Sequence, residues 1–301
     1  MEKLISYNKE HCILPHLKKL NSRLHQYQIY GLSYPIKLVG MDHHTYLFHH
    51  KENRFMYDKS LDRKYKEALK HLSYNSEYHI RCSQLNITEN MLTLETEWTD
   101  FASFLTTNKT LSEKEVIELE SYTPTMLSNE LAVVINLIVE EGEHTYLFLT
   151  KRSKHLKNFP NCMSTGASGA MGGSVKWTDF NSHGQPSPLL TAQREIYEEL
   201  GINIPLENLS IRGLALQTRD KQLIFLVDAN IKKDKQEVIQ GMKNADDYNE
   251  IEEGHYFFVE LDPAAIIPYL RYLEWSPISA VAVWELLKSR FGVIEMHNDK
   301  D

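Results

Sequence analysis

Three glutamates within five residues, Glu195, Glu198 and Glu199, directly follow Arg194 in the run Arg194-Glu195-Ile196-Tyr197-Glu198-Glu199-Leu200-Gly201-Ile202. Residues three and four apart share one face of a helix, so the carboxylates converge on one stripe and Arg194 reaches Glu198. Carboxylates held this close repel one another unless a cation lies among them. A hard divalent ion with oxygen ligands suits that spacing.

The helix that must carry these groups is legible at both ends. Ser187 can cap the free N–H groups, and Pro188 fits the first helical position, where its missing N–H costs nothing. Gly201 can adopt the left-handed conformation that closes a helix, with Ile202 packing back on the last turn. Ala192, Ile196 and Leu200 recur every fourth residue as a buried stripe, which leaves the glutamates facing a cleft.

The run matches, position for position, the C-terminal half of the Nudix box, Arg-Glu-apolar-any-Glu-Glu-any-Gly-apolar, and through it the chain resembles a Nudix hydrolase. In that family a glycine, five residues, a glutamate and seven residues precede the arginine. Here Pro186 stands at the glutamate position, with Gln185 as the nearest polar stand-in. The approach glycines correspond to Ser168-Gly169 or to Gly172-Gly173, followed by an insertion through Lys176, Trp177, Asp179 and Asn181 before Gly184-Gln185.

The resemblance implies an α/β fold, a Nudix-type α/β/α sandwich with a mixed sheet, here preceded by a smaller α+β N-terminal domain. It implies hydrolysis of a pyrophosphate bond in a nucleoside diphosphate linked to another moiety, with Mg²⁺, or Mn²⁺ in its place, as cofactor. Carried over residue by residue, Glu198 and Glu199 are metal ligands, and Glu195 is the catalytic base or a further ligand. Arg194 holds the glutamates by charge-assisted hydrogen bonds, and Gly169, with Gly173 as the alternative, offers a backbone carbonyl to the metal. A later loop often adds a carboxylate; among Asp246, Asp247, Glu250, Glu252 and Glu253, the preferred candidates are Glu250 and Glu253. Arg152 is a candidate phosphate contact and Trp177 a candidate base-stacking residue. A homodimer is compatible with the resemblance.

Two other functions compete. The missing upstream glutamate and the insertion motivate a Nudix-fold nucleotide sensor or interaction module, with the N-terminal domain as its output. The segment Phe159-Pro160-Asn161-Cys162-Met163-Ser164-Thr165-Gly166 is faintly similar to isopentenyl diphosphate isomerases. Those need a cysteine and a histidine where this chain reads Gly166-Ala167-Ser168-Gly169-Ala170. His43-His44 and His49-His50 flank a strand candidate, and their side chains diverge on alternate faces, which argues against a zinc site.

The strand signals that must frame the helix are Leu131 to Val139 and Tyr146 to Leu149 before it, then Ile211 to Gln217, Leu223 to Ala229 and Tyr256 to Val259. An amphipathic helix from Ser279 to Phe291, with Ala282, Val283, Leu286, Leu287 and Phe291 inward, ends the pattern. Upstream, periodicity predicts a helix over residues 14–27 and a β-meander of Ile36–Val39, Thr45–Phe48 and Arg54–Tyr57. A helix over 61–73 and a hairpin of 78–88 with 91–98 follow. The polar stretch Thr106–Ser112 and a short helix from Glu113 to Ser121 read as a linker. The boundary falls near 125, giving domains 1–125 and 126–301.

The chain of 301 residues carries a formal net charge of -8, with 42% hydrophobic and 25% charged residues. That composition is globular, and the negative balance argues against a nucleic-acid backbone as the main partner; a small nucleotide or other diphosphate partner is what the resemblance implies. Met1 to Asn8 lacks the apolar core of a secretory signal, and no segment approaches a membrane span, so a cytoplasmic location is expected. Cys12, Cys82 and Cys162 are odd in number and widely spaced, as buried free thiols are.

Overall fold

The computed structural model describes residues 27–29, 32–70, 72, 78–110, 121–156, 158–172 and 178–292. A short hairpin, β1 (Tyr27–Ile29) and β2 (Leu32–Tyr34), precedes β3 (Ile36–Met41) and β4 (Thr45–Arg54). Then come α1 (Asp62–Lys70), β5 (His79–Ile87), β6 (Met91–Thr99) and α2 (Phe101–Thr107). The hairpin β7 (Leu131–Glu141) and β8 (His144–Arg152) leads to β9 (Met163–Thr165) and β10 (Ala167–Ala170), and then to α3 (Pro188–Leu200). Strands β11 (Leu209–Gln217) and β12 (Gln222–Lys232), α4 (Lys235–Lys243), β13 (Ile251–Glu260), α5 (Pro263–Tyr272) and α6 (Pro277–Phe291) complete the order.

The result is an α/β/α sandwich. Its mixed eight-stranded sheet runs β13-β8-β7-β12-β11-β3, with β10 on β7 and β9 on β8. The central strand β7 lies parallel to β12 and is buried from Leu131 to Val139, so it reads as an unbroken apolar run. Alternate residues part to the two faces. Leu131, Val133, Ile135 and Leu137 meet Ala192, Ile196 and Leu200 of α3, whereas Ala132, Val134 and Ile138 meet α5 and α6.

One irregularity of this sheet makes the site. Strand β8 pairs with β7 only from Glu141↔His144 to Leu137↔Phe148. Beyond that the strands part, and β9 and β10 fill the gap, presenting Ser168, Gly169 and Ala170 beneath α3. Gly166 turns the wedge where a Cβ would come 2.8 Å from Leu137 Cβ and 2.9 Å from Ile135 O.

The N-terminal part departs from the expected meander. Strand β3 pairs with β11 at the edge of the large sheet, while β4 pairs in parallel with β6 in a separate three-stranded sheet, β4-β6-β5. Parallel pairing requires a crossover, which α1 and β5 supply, so strands close in sequence are not neighbours. Phe55, Met56 and Tyr57 lie beyond the end of β4. The hairpin β5–β6 forms with Thr88, Glu89 and Asn90 as its turn. Thr106–Ser112 is not a solvated linker over its described part: Thr106, Thr107 and Asn108 are buried, and the Asn108 and Thr107 side chains accept from Ser128 N–H at 3.0 and 3.1 Å. Ile80, Cys82, Leu92 and Leu94 join the core beneath α3, so the segments on either side of residue 125 share one apolar interior. The helices expected over 14–27 and 113–121 lie outside the described residues, apart from Tyr27 in β1 and Ser121. Helix α6 forms as expected, but Phe291 is exposed.

Candidate functional site

Helix α3 begins and ends where its sequence dictates. Ser187 Oγ accepts from the Leu190 N–H, Pro188 is the first helical residue, and Gly201 closes the helix at φ +63°. A Cβ at Gly201 would stand 2.4 Å from Gly241 O, so the left-handed turn and the neighbouring helix α4 both require glycine. With Ala192, Ile196 and Leu200 wholly buried, the flanking Glu195 and Glu199 are carried beneath the protein surface, 8% and 7% exposed.

Arg194 is the hub of the cluster. Its Nη1 donates to Glu198 Oε2 at 2.7 Å and forms an ion pair with Glu195 Oε1, also at 2.7 Å. Nε and Nη2 form a two-pronged contact with Asp179, each at 3.0 Å, and Nη2 also donates to Ala170 O at 2.8 Å. Such forked pairing fixes the guanidinium plane as well as its charge. The three surrounding carboxylates outweigh the burial that would otherwise lower the Arg194 pKa, and hold it far above its ordinary value.

Asp179 is the residue that sequence reasoning missed. It is fully buried, and its Oδ2 also accepts from the Gly172 N–H at 2.8 Å and Thr191 Oγ1 at 2.9 Å. Pro186, at the box position of the absent glutamate, instead forms a bridge with Phe180. The available signal was Asp179 itself, an acid inside the insertion; no fixed spacing to Arg194 marked it.

The carboxylates meet β10. Glu199 Oε1 accepts from the Ser168 N–H at 2.8 Å, and a Cβ on Gly169 would fall 1.9 Å from Glu195 Oε1, so only glycine lets the Glu195 carboxylate lie there. Glu250, just before β13, adds its charge to both. Burial pushes Glu195 up to about 7 against the pull of Arg194, with Glu198, Asp179 and Glu250 adding to the rise. Burial also raises Glu199, reinforced by Glu250 and Glu195 and opposed by the Ser168 N–H and Arg152. Glu250 is raised by burial and restrained by Arg152. These groups need protons or a cation.

The donor set fits a hard ion. All the donors are carboxylate oxygens beside a backbone wedge, with no thiol or imidazole among them. Among the described residues no three Asp, Glu, His or Cys side chains are gathered closely enough to hold a metal ion by themselves. Mg²⁺ does not require one, because it keeps several waters and takes one or two carboxylates together with substrate oxygens.

A cleft of about 540 Å³ opens beside the cluster, its lining including Arg152, Gly169 and Glu250 together with His79, Glu130 and Gln222. Arg152 donates through Nε to Asn158 O at 3.2 Å, which fixes the side chain near Glu199 and Glu250. Of the acidic loop, Asp247 and Glu250 line this cleft; Glu253 falls in β13 with its side chain outside the described residues. Trp177 and Gly173 also lie outside them. Cys162 is buried, its thiol pushed up to about 12 mainly by desolvation, a poor starting point for an acid acting on an alkene. His50 packs edge-on against Trp98 and Phe180, and burial lowers its pKa.

Among the described residues no helix is long and apolar enough to cross a membrane. No protein-family model matches the chain, and no curated protein matches its sequence. Solved structures with a similar arrangement include the Nudix domain of Shewanella oneidensis NrtR complexed with ADP ribose, at 12% identity over 60% of this chain and 99% of that one, TM-score 0.35. A Nudix hydrolase from Alicyclobacillus acidocaldarius is 10% identical over 52% of this chain and 90% of that one, TM-score 0.34. A MutT/nudix family protein from Listeria innocua is 17% identical over 54% and 93%, TM-score 0.33. Likenesses this distant leave function to be read from the acidic cluster itself.

Proposed function

We propose that the chain is a divalent-cation-dependent hydrolase of the Nudix type, cleaving a pyrophosphate bond in a nucleoside diphosphate linked to a second moiety. The observation that carries this reading is the buried cluster in which Arg194 binds Glu195, Glu198 and Asp179 while Glu199 rests on the Ser168 N–H. Of Glu195, Glu199 and Glu250, one or two would hold Mg²⁺ or Mn²⁺, with Glu198 adjoining. When bound, the ion neutralises diphosphate oxygens and activates water.

The chain's own groups do the rest. Arg152, which lines the cleft and whose charge restrains Glu250, meets phosphate charge. Glu195, where it does not itself bind the ion, is placed to accept a proton from the attacking water at its carboxylate. Arg194 fixes the direction of that carboxylate and of Glu198. Asp179 supplies an acidic partner for Arg194 that the broken box lacks, which answers one of the two motives for a binding-only sensor, the missing glutamate, and leaves the insertion as the other.

A panel of nucleoside diphosphate derivatives incubated with Mg²⁺ or Mn²⁺, scored for both products, tests the reading. Turnover is expected from the unmodified chain, with a loss of about 100-fold or more in Glu199→Gln, a group proposed to act on the metal. Folded, cation-binding protein that releases no product from the panel sinks it.

A further inference from the structure

The insertion that separates the glycine turn from α3 is pinned at its neck, and the three-stranded sheet does part of the pinning. At the start of the insertion, Ile80 N–H donates to Met171 O at 2.9 Å, and His79 bridges Gly172. The fit leaves no room: a Cβ on Gly172 would stand 2.3 Å from Tyr78 O. At its end, the Phe180 ring packs between His50 and Trp98, with ring centroids 4.9 and 5.2 Å away, and His50 N–H donates to Gln185 Oε1 at 3.0 Å. Between these anchors Asp179 N–H donates to Gly172 O at 3.1 Å, while Gly172 N–H donates back to Asp179 Oδ2 at 2.8 Å. The two ends are therefore closed on each other by the residue that binds Arg194.

We propose that the N-terminal three-stranded sheet holds this neck shut and thereby keeps Asp179 on Arg194, making Asp179 a positioning residue and the sheet part of the machinery that aligns Glu195 and Glu198. Phe180 is the mechanical link. Its neighbour Asp179 can direct the forked pair only while the backbone on both sides stays anchored, and on the Phe180 side the anchors are β4 and β6. Asp179 lies outside α3, so its place is set by the anchored ends of the loop and not by the helix.

The experiment compares the full chain with Phe180→Ala, Asp179→Asn, Asp179→Glu and, as a control on an exposed site of the same sheet, Leu47→Ala. The first readout is hydrogen exchange of the Arg194 Nε–H in ¹⁵N spectra, assigned with Arg194→Lys. It does not depend on any cation. The second is the dissociation constant for Mn²⁺, which rests on the proposed function. Phe180→Ala and Asp179→Asn are expected to speed Nε–H exchange about 10-fold or more by opening the neck locally, and to weaken Mn²⁺ binding by about 10- to 100-fold, as loss of outer-shell partners does. Asp179→Glu retains the charge and recovers part of both; Leu47→Ala changes neither. Should Phe180→Ala fail to unfold cooperatively, Phe180→Leu keeps apolar bulk without the ring contacts and takes its place. Wild-type exchange in Phe180→Ala, or a protected Nε–H in Asp179→Asn, overturns the proposal. If the unmodified chain takes up no Mn²⁺, the proposed function fails, while Nε–H exchange still decides the clamp.

Discussion

Replacing Glu195 by glutamine tests the electrostatics of the cluster without touching its packing. Burial lifts this carboxyl from its ordinary 4.5 to about 7 in the folded chain. At 1.36 kcal/mol per pH unit, the ionised form costs the fold about 3 kcal/mol relative to the unfolded chain. A carboxyl whose folded pKa is raised binds its proton more tightly when folded. Its stabilising contribution is therefore complete below about pH 4.5 and disappears as pH climbs through about 7. Glutamine never ionises, and its side-chain oxygen can still face Arg194 Nη1. In EDTA, Glu195→Gln should match the unmodified protein near pH 5 and exceed it in stability at pH 8.5 by up to about 3 kcal/mol. At about 2–4 °C per kcal/mol for a chain of this size, that is a gain of about 6–12 °C in Tm. Thermal unfolding followed by circular dichroism across pH 5–8.5 reads the difference between the two proteins, which cancels the titrating groups remote from Glu195; Glu199, whose rise Glu195 reinforces, is relieved in the variant and shifts the difference in the same direction. Adding Mn²⁺ at pH 8.5 should then raise the Tm of the unmodified chain and leave that of the variant nearly unchanged, because only a ligand that binds the folded form stabilises it. A variant less stable than the unmodified chain at pH 8.5 in EDTA, or a difference that does not vary with pH, would refute the reasoning.

Gly169→Ala should displace the Glu195 carboxylate, because its Cβ would start 1.9 Å from Oε1. A 10- to 100-fold loss of Mn²⁺ affinity by calorimetry is expected, with about 1–3 kcal/mol of lost stability from overpacking, and unchanged affinity would contradict the geometry. Gly201→Ala faces both φ +63° and a backbone oxygen 2.4 Å from its Cβ. It should cost more than about 1 kcal/mol in urea unfolding, and a neutral result would show that the α3–α4 approach relaxes.

The helix and its ends were legible because their signals are local. Ser187, Pro188 and Gly201 mark positions where backbone geometry permits few residue types, and the fourfold recurrence of Ala192, Ile196 and Leu200 can be read without knowing what lies opposite. The same holds for β7, whose apolar run announces burial on both faces. Pairing is not local. The signals of β3 and β4 were clear, but their partners β11 and β6 are chosen by where buried surface is available, and that decision is made across the whole chain. The short wedge β9–β10 escaped notice for a related reason. Its Ser, Gly and Ala residues read as loop, and only the parting of β7 from β8 gives them strands to pair with.

Asp179 shows how a broken motif can conceal an intact interaction. A motif fixes the number of residues between two groups, whereas an ion pair fixes only the distance between their charges. An insertion that returns to its starting point satisfies the second while violating the first. Arg194, carried by a rigid helix and buried against Ala170 O, must find a carboxylate on the side away from Glu198, or its charge would lie partly uncompensated in the interior. That demand could have been stated from Arg194 alone, and it would have directed attention to the acids of the insertion. Closing the loop also has a cost in chain entropy that a short box turn avoids. The contacts of Phe180 with Trp98 on β6 and His50 on β4 offset part of it.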